Sequence, residues 1–195
     1  MKIAILIPFY NEEKNLIFFI KEWEKILINK QNIKKNLFFL FLNDGSTDQS
    51  VKVIKKNIRN LKYLIISRKN SGHGNICKFG YKLILKKYKK FNYILQIDSD
   101  NQCDPKYFFK MYNMIKLKNY NFIFGYRNIR DDGYLRFLIS RVLSLTVFLK
   151  TLVFVKDLNT PYRLMKISEL SKILYLLNKN DKYDKIKLFN CILSY

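Results

Sequence analysis

The chain has few of the residues that build small cross-linked or metal-stapled folds. Its 195 residues include 3 cysteines, 1 histidine, 6 glycines and 3 prolines. An odd number of cysteines without a C-x-x-C pair argues against a disulfide framework and against a zinc site. Little glycine and proline beside 49% hydrophobic residues argues against disorder. We therefore expect a folded protein in a reducing cytosol.

Long uninterrupted apolar stretches are missing as well. The apolar run at the N-terminus is short and meets Pro8, so it predicts a first strand and lacks the apolar core of a secretory signal. Residues 138–155 are strongly apolar but contain Arg141 and Lys150, which argues against a membrane span of about 20 residues. We expect a helix, a break and a further strand or membrane-facing segment there, with peripheral attachment to the membrane. Packing of this segment in the core is the alternative.

Acidic residues are scarce, with 15 Asp and Glu against 37 Lys and Arg, and the net charge is +22. Such a charge favours an anionic partner, which can be a nucleic acid, a lipid surface or a small substrate. The lysine pairs are scattered and no nucleic-acid-binding module is visible, so we expect no nucleic acid. A compositional bias of an AT-rich genome explains the lysines equally well.

Apolar runs alternate with amphipathic segments along the chain. This alternation predicts an α/β fold with a mostly parallel central sheet and helices on both faces. We expect one domain over residues 1–195. The predicted strands cover residues 3–8, 37–42, 61–66, 93–97 and 121–125, and the predicted helices cover residues 12–28, 51–58, 76–87 and 106–116. Asp104 before Pro105 predicts the start of the last of these helices.

The fourth predicted strand runs directly into the sequence Asp-Ser-Asp-Asn-Gln at residues 98–102. Side chains alternate along an extended segment, so Asp98, Asp100 and Gln102 would point the same way. Oxygen ligands of this kind suit Mg²⁺ or Mn²⁺, which keep positions free for substrate phosphates. The alternative is that the acids begin a turn and cap the next helix.

Polar, glycine-containing loops follow the first four predicted strands. Ligands of such sheets bind beyond the carboxyl ends of the strands, where these loops meet. The loops comprise residues 8–12, 43–48, 68–75 and 98–102. Four polar loops at one edge predict a ligand site there.

The motifs in these loops resemble glycosyltransferase family 2, whose members have the GT-A fold and use nucleotide sugars. Within that family the chain is most similar to polyprenyl-phosphate sugar transferases of the dolichol-phosphate mannosyltransferase type. The resemblance covers roughly residues 3–165. Its motifs lie at residues 7–13, 43–48, 70–74, 98–102, 125–127, 136–141 and 157–163.

The resemblance implies a donor site for a UDP-sugar or GDP-sugar in residues 1–102. Asp44 would accept a hydrogen bond from the base, although the usual Asp-Asp pair of the family is Asn43-Asp44 here. A turn ahead of Gly45 is the structural alternative for Asp44. The implied nucleotide-binding residues are Pro8, Tyr10, Asn11, Glu12, Asp44, Gly72 and Asp98. The implied Mg²⁺ or Mn²⁺ ligands are Asp98, Asp100 and Gln102. His73 is expected to act as a hydrogen-bond donor in a loop or to have no role.

The resemblance places an acceptor site in residues 103–195, for a lipid phosphate at an anionic membrane surface. Arginine suits bidentate phosphate contacts. The implied phosphate-binding residues are Arg127, Arg136, Ser140 and Arg141. The implied catalytic residues are Asp100, Arg127 and Asp157, and Asp157 acts as a base only if the nucleophile is a sugar hydroxyl. Orientation of Arg163 is the alternative for Asp157.

The expected activity is therefore a metal-dependent inverting transfer of a sugar to undecaprenyl or dolichyl phosphate, at the cytoplasmic face of the membrane, in biogenesis of the cell envelope. Three alternatives stay open: transfer to a saccharide hydroxyl, a basic binding protein without catalysis, and a pseudo-enzyme that binds nucleotide. Relatives commonly continue beyond the position where this chain stops. We expect either a minimal form or a C-terminal truncation that removes part of the acceptor side.

Overall fold

The structure is a computed structural model that describes residues 1–125, Val142, Leu145, Leu149, Thr160 and 162–179. These residues form a central sheet with helices on both faces. Its strands are β1 (Ile3–Phe9), β2 (Leu37–Asn43), β3 (Tyr63–Ser67), β4 (Tyr93–Ile97), β5 (Phe122–Phe124) and β6 (Tyr162–Lys166). The helices are α1 (Glu13–Leu27), α2 (Gln31–Lys34), α3 (Ser50–Asn57), α4 (His73–Lys87), α5 (Tyr107–Lys118) and α6 (Ile167–Asn178).

The strand order in the sheet is β3-β2-β1-β4-β6-β5. Strands β1 to β4 are parallel to one another, whereas β6 is antiparallel to both β4 and β5. The chain extends the sheet from β1 through β2 to β3 and then returns to place β4 on the other side of β1. The loops after β1 and β4 therefore diverge, which opens a crevice at their carboxyl ends.

The central strands are apolar along their whole length because both faces of the sheet are covered. All seven residues of β1 and all five of β4 are buried. Successive side chains of these strands point to opposite faces of the sheet, so they contribute alternately to two hydrophobic cores. One core lies under α1, α3 and α5, and the other lies under α4 and α6.

The longest helices follow the expected helical spacing of apolar residues. In α1 the buried positions recur every three or four residues, at Leu16, Phe19, Ile20, Trp23 and Leu27. Trp23 packs edge-on against Phe39 of β2, with ring centroids 5.2 Å apart. This contact fixes α1, and with it the loop after β1, against the sheet.

The predicted fold class is confirmed, and the nine predicted strands and helices lie within three residues of the observed bounds. Helix α2, strand β6 and helix α6 were not predicted. Asp104 accepts a hydrogen bond from the Lys106 N–H at 2.8 Å, but α5 begins at Tyr107 with Lys106 as its N-cap. Asp104 therefore stabilises the turn ahead of the helix, and the prediction that it caps the helix is wrong. No helix in the described ranges combines the length and apolar character needed to cross a membrane.

Candidate nucleotide and metal site

A cleft of about 300 Å³ lies at the carboxyl edge of the sheet, where the loops after β1, β2, β3 and β4 meet. Its volume is at the lower end of the range for small-molecule sites. The structure brings seven of the predicted site residues to this cleft. These residues are Pro8, Tyr10, Glu12, Asp44, Gly72, Asp98 and Asp100.

Asp44 from the loop after β2, and Asn70 and Gly72 from the loop after β3, line the cleft, and we call these three residues the Asp44 wall. Asp44 is 3% exposed, and its carboxylate accepts three hydrogen bonds from the loop after β3. The Ser71 N–H and the Ser71 hydroxyl donate to Oδ1 at 2.8 and 3.1 Å, and the Gly72 N–H donates to Oδ2 at 2.9 Å. Asp44 thus holds the loop ahead of α4, in addition to lining the cleft.

The neighbouring Asn43 has a structural role at the ends of β2 and β3. Its amide nitrogen donates to the Ser67 hydroxyl at 3.2 Å, and its oxygen accepts the Ser46 N–H at 2.8 Å. An amide can donate and accept at once, whereas a carboxylate only accepts. Asparagine therefore suits this position better than the acid that the family usually has there.

Asn11 is not among the cleft-lining residues. It adopts a φ of 54°, and its side-chain oxygen accepts the Thr47 N–H at 2.8 Å. The Asn11 N–H donates to the Ser46 hydroxyl at 3.0 Å. These contacts tie the loop after β1 to the loop after β2, so the structure places Asn11 behind the cleft.

His73 at the start of α4, and Asp98 and Asp100 in the loop after β4, also line the cleft, and we call these three residues the Asp98 wall. The His73 Nε2 atom lies 3.1 Å from Asp98 Oδ1. An ionised carboxylate only accepts hydrogen bonds, so Nε2 carries the proton in this contact. The side chains are 45% and 26% exposed, respectively. The Asp98 wall is therefore open to a ligand.

The expectation that His73 lies in a loop is wrong. Gly72 has a φ of 87°, and α4 begins at the next residue, so His73 is in the first helical turn. Glycine adopts a positive φ without steric cost, which lets the helix start three residues earlier than its apolar pattern indicates. Burial lowers the pKa of His73 below its usual value, although Asp44 and Asp100 act in the opposite sense. The expected role as a hydrogen-bond donor agrees with its contact to Asp98.

The alternation of side chains does not extend through residues 98–102. Strand β4 ends at Ile97, and Asn101 adopts a φ of 61°, so the chain turns. Asp100 Oδ1 accepts the Gln102 N–H at 3.1 Å. The Gln102 side chain is exposed and does not line the cleft, whereas Asp98 and Asp100 both do.

Five lining residues were not predicted, namely Phe9, Asn70, His73, Ile76 and Ser99. Asn70 and His73 belong to the motif at residues 70–74, so that motif was the signal that could have identified them. Phe9 and Ser99 likewise lie within the motifs at residues 7–13 and 98–102. Ile76 lies outside the motifs, and its sequence pattern is that of an ordinary helix residue.

Three buried polar side chains lie close together below the cleft, on the face of the sheet that α4 covers. The Tyr81 hydroxyl of α4 donates to the Gln96 side-chain oxygen of β4, and Arg163 of β6 pairs with Gln96 across the strands. All three side chains are fully buried. Burial raises the pKa of Tyr81 well above its usual value, so the phenol stays a hydrogen-bond donor.

The predicted acceptor-side residues Arg127, Arg136, Ser140, Arg141 and Asp157 lie outside the described residues. Their roles stay predictions.

The donor set of the Asp98 wall fits a hard divalent cation. In the described part of the chain, no three His, Cys, Asp or Glu side chains form a complete protein cage for a metal. Mg²⁺ is commonly held by one or two carboxylates together with substrate phosphates and water. Asp98 and Asp100 supply two carboxylates at one cleft, which meets that requirement.

Comparisons with known proteins show relatives among transferases. An uncharacterized protein of Methanocaldococcus jannaschii is 29% identical over 170 residues, which cover 83% of this chain and 70% of that protein. CsbB of Bacillus subtilis, which carries the name of a glycosyltransferase, is 25% identical over 181 residues, or 91% of this chain. The match spans 52% of CsbB, so this chain corresponds to about half of that relative.

Solved structures share the fold at low sequence identity. Glucosyl-3-phosphoglycerate synthase from Mycobacterium tuberculosis, in complex with UDP, has a TM-score of 0.61 and 16% identity, covering 97% of this chain and 67% of that chain. The mannosyltransferase PcManGT from Pyrobaculum calidifontis, in complex with GDP-Man and Mn²⁺, has a TM-score of 0.57 and 13% identity, covering 88% and 46%. These likenesses establish the fold alone.

The sequence profile described as Glycosyl transferase family 2 matches residues 4–191, nearly the whole chain. The chain therefore belongs to glycosyl transferase family 2, and the prediction of a glycosyltransferase is confirmed at the level of the family.

Proposed function

We propose that the chain transfers a sugar from a nucleotide-sugar donor to the phosphate of a polyprenyl phosphate, with inversion at the sugar carbon. The observation that carries the donor half is the single cleft that Asp44, Asp98 and Asp100 line together. One carboxylate suits an N–H of a base, and the other two suit a cation that binds a diphosphate. Fold neighbours in complex with UDP and with GDP-Man support a nucleotide donor.

In this proposal the Asp98 wall holds the diphosphate end of the donor. Asp98 and Asp100 would bind Mg²⁺ or Mn²⁺, which stabilises the negative charge on the departing nucleoside diphosphate. His73 fixes the Asp98 carboxylate through the 3.1 Å contact. Tyr10, which is 48% exposed, provides an aromatic surface beside the nucleoside.

The acceptor half of the proposal rests on charge and exposed apolar surface. Val142, Leu145 and Leu149 are helical, and their exposed fractions are 57%, 55% and 71%. A spacing of three and four residues is that of neighbours on one helical face, and we propose that these three side chains meet lipid. The net charge of +22 favours an anionic membrane surface and a phosphate acceptor. Peripheral attachment at the cytoplasmic face is part of this proposal.

The chemistry requires no protein base when the nucleophile is a phosphate oxygen, since that oxygen is already ionised near neutral pH. It forms a bond to the anomeric carbon while the bond from that carbon to the diphosphate oxygen breaks. Arg127, Arg136 and Arg141 are proposed to bind the acceptor phosphate, with Ser140 beside them. Asp157 would serve as a base only with a hydroxyl acceptor.

A transfer assay with radiolabelled donors tests the proposal. UDP-sugars and GDP-sugars are incubated with the protein and either polyprenyl phosphate or an oligosaccharide, in Mn²⁺ or in EDTA. We expect label in the organic phase with polyprenyl phosphate and Mn²⁺. Label in the oligosaccharide alone would favour the saccharide alternative, and lipid product in EDTA would contradict the role of Asp98 and Asp100.

The alternatives without catalysis give different results in the same preparation. A pseudo-enzyme would bind nucleotide with Mn²⁺ but release no free sugar and form no product. A basic binding protein would show affinity for nucleic acid or vesicles that falls steeply with salt, and no stabilisation by nucleotide.

A further inference from the structure

The hydrogen bonds that Asp44 accepts within the protein leave its carboxylate able to accept few others. A carboxylate has about four lone-pair positions, two on each oxygen. Ser71 occupies both positions on Oδ1 through its N–H and its hydroxyl, and Gly72 occupies one on Oδ2. One position, on Oδ2, is left for a ligand in the cleft.

The backbone around Asp44 fixes this arrangement. The Asp44 N–H donates to the Phe9 carbonyl at 2.9 Å, and the Arg68 N–H donates to the Asn43 carbonyl at 3.0 Å. Gly45 has a φ of 80°, and a Cβ added at this residue would lie 2.7 Å from the backbone nitrogen of Asn70. The two loops are therefore in close contact, and a rotation of the carboxylate would break three hydrogen bonds.

The bases of the common sugar donors make different demands on a carboxylate. Uracil presents one N–H between two carbonyl oxygens, so it needs one acceptor position. Guanine presents two adjacent N–H groups, which pair with the two oxygens of one carboxylate. A site that cannot accept both groups leaves a donor without a partner, which weakens binding.

We propose that the Asp44 wall selects uridine over guanosine as the nucleoside of the donor, because Asp44 has an open acceptor position on only one of its oxygens. This inference rests on the proposed function and names the donor class for the same cleft. Asn70, which also lines the cleft, can donate to a uracil carbonyl through its amide nitrogen.

Binding of free nucleotides tests the inference on the unmodified protein. Calorimetry in Mn²⁺ compares three ligands whose bases differ in the N–H groups that they present to Asp44. UDP presents one, GDP presents two, and 3-methyl-UDP presents none. We expect UDP to bind about tenfold or more tightly than either of the others, in line with one lost hydrogen bond. Equal or tighter binding of GDP, or undiminished binding of 3-methyl-UDP, would overturn the inference and leave a nucleotide-binding enzyme. Binding of none of the three would overturn the proposed function itself.

Replacement of Ser71 sharpens the test. Ser71→Ala removes the hydroxyl donor to Asp44 Oδ1, so both carboxylate oxygens then have one open acceptor position. The ratio of GDP to UDP dissociation constants should then fall several-fold, while the Ser71 N–H still holds the loop. Ser67→Ala is the matched control, since the Ser67 hydroxyl contacts Asn43 instead of Asp44. An unchanged ratio in a folded Ser71→Ala protein would count against the inference, with circular dichroism as the check on folding.

Discussion

The two walls of the cleft hold their carboxylates in different ways. Asp44 is 3% exposed and accepts hydrogen bonds from two backbone N–H groups and a hydroxyl. The Asp98 side chain is 26% exposed and contacts His73, which is itself 45% exposed. A buried carboxylate that lost its donors would carry a large desolvation cost, whereas an exposed one can exchange partners with water.

This difference assigns different tasks to the two walls. In the proposed function, the hydrogen-bonded Asp44 wall would bind a neutral base through the one open acceptor position of its carboxylate. The more exposed Asp98 wall would bind a cation and a diphosphate. Substitutions in the Asp44 wall should therefore change stability and binding together, and those in the Asp98 wall should change metal-dependent binding and catalysis with little change in stability.

The largest effect is expected from Asp98→Asn and Asp100→Asn. Each should lower kcat on the order of 100-fold or more, since an interaction with the developing charge of the leaving group is weakened. The urea midpoint should stay close to that of the wild type. Asp104→Asn is the control, because Asp104 is an acid of the same loop that pairs with Lys106 outside the cleft. Equal loss in the control would contradict the division between the walls.

A pair of glycine substitutions measures how tightly the loops of the Asp44 wall are packed. Gly45 and Gly72 have similar φ values of 80° and 87°. A Cβ added at Gly45 would clash with the backbone nitrogen of Asn70, whereas a Cβ added at Gly72 would have no neighbour within 4 Å. Gly72→Ala should cost about 1–3 kcal/mol, because a φ of 87° with a ψ of 154° is a backbone conformation that essentially only glycine adopts. Gly45→Ala should cost about 1–3 kcal/mol more, measured by urea unfolding. Similar losses at both positions would contradict the close contact.

Asp44→Asn should lower the free energy of unfolding by about 1–3 kcal/mol, because an amide nitrogen then faces a backbone donor in a buried site. UDP binding should weaken in parallel. Asp98→Asn serves as the comparison and should leave the free energy of unfolding nearly unchanged. Stability that drops more with Asp98→Asn than with Asp44→Asn would reverse the comparison between the walls.

His73→Ala should have a smaller effect through Asp98. The hydrogen bond is partly exposed, so its loss should weaken Mn²⁺-dependent binding of UDP by about three- to tenfold. His73→Gln, whose amide can also donate, should recover part of that loss. Binding of UDP in EDTA is the second measurement and should be the same for all three proteins. A loss in EDTA as large as that in Mn²⁺ would point to a general disturbance of the cleft.

The smallest effect is expected at Asp48, behind the cleft. Burial acts to raise the pKa of Asp48, but hydrogen bonds from Ser50 and from the Glu13 N–H outweigh it, and the pKa is lowered. A lowered pKa means stability that is present above the unfolded-state pKa and is lost as the pH falls through the folded-state pKa. Between about pH 5 and pH 3, the free energy of unfolding should therefore decrease less for Asp48→Asn than for the wild type. At pH 7 its cost should stay below about 1 kcal/mol.

The sequence predicted most of the fold because its central strands are buried on both faces. Such strands are continuous apolar runs, as in β1 and β4, and the helices between them repeat apolar residues every three or four positions. Strand β6 was missed because its sequence, Tyr-Arg-Leu-Met-Lys, is short and contains two charged residues, one of which, Arg163, is buried. Only pairing with β4 and β5 makes that segment a strand.

The candidate site divides in the same way. The sequence by itself indicated which loops meet at the carboxyl edge and which acids they carry, because the alternation of strands and helices and the chemistry of the loops follow from local patterns. Tertiary structure alone decided that Ser71 and Gly72 donate to the Asp44 carboxylate, that His73 begins a helix and contacts Asp98, and that Gln102 does not line the cleft. Those outcomes depend on hydrogen bonds between residues far apart in the chain, or on a backbone turn such as that at Asn101, and no local pattern specifies either.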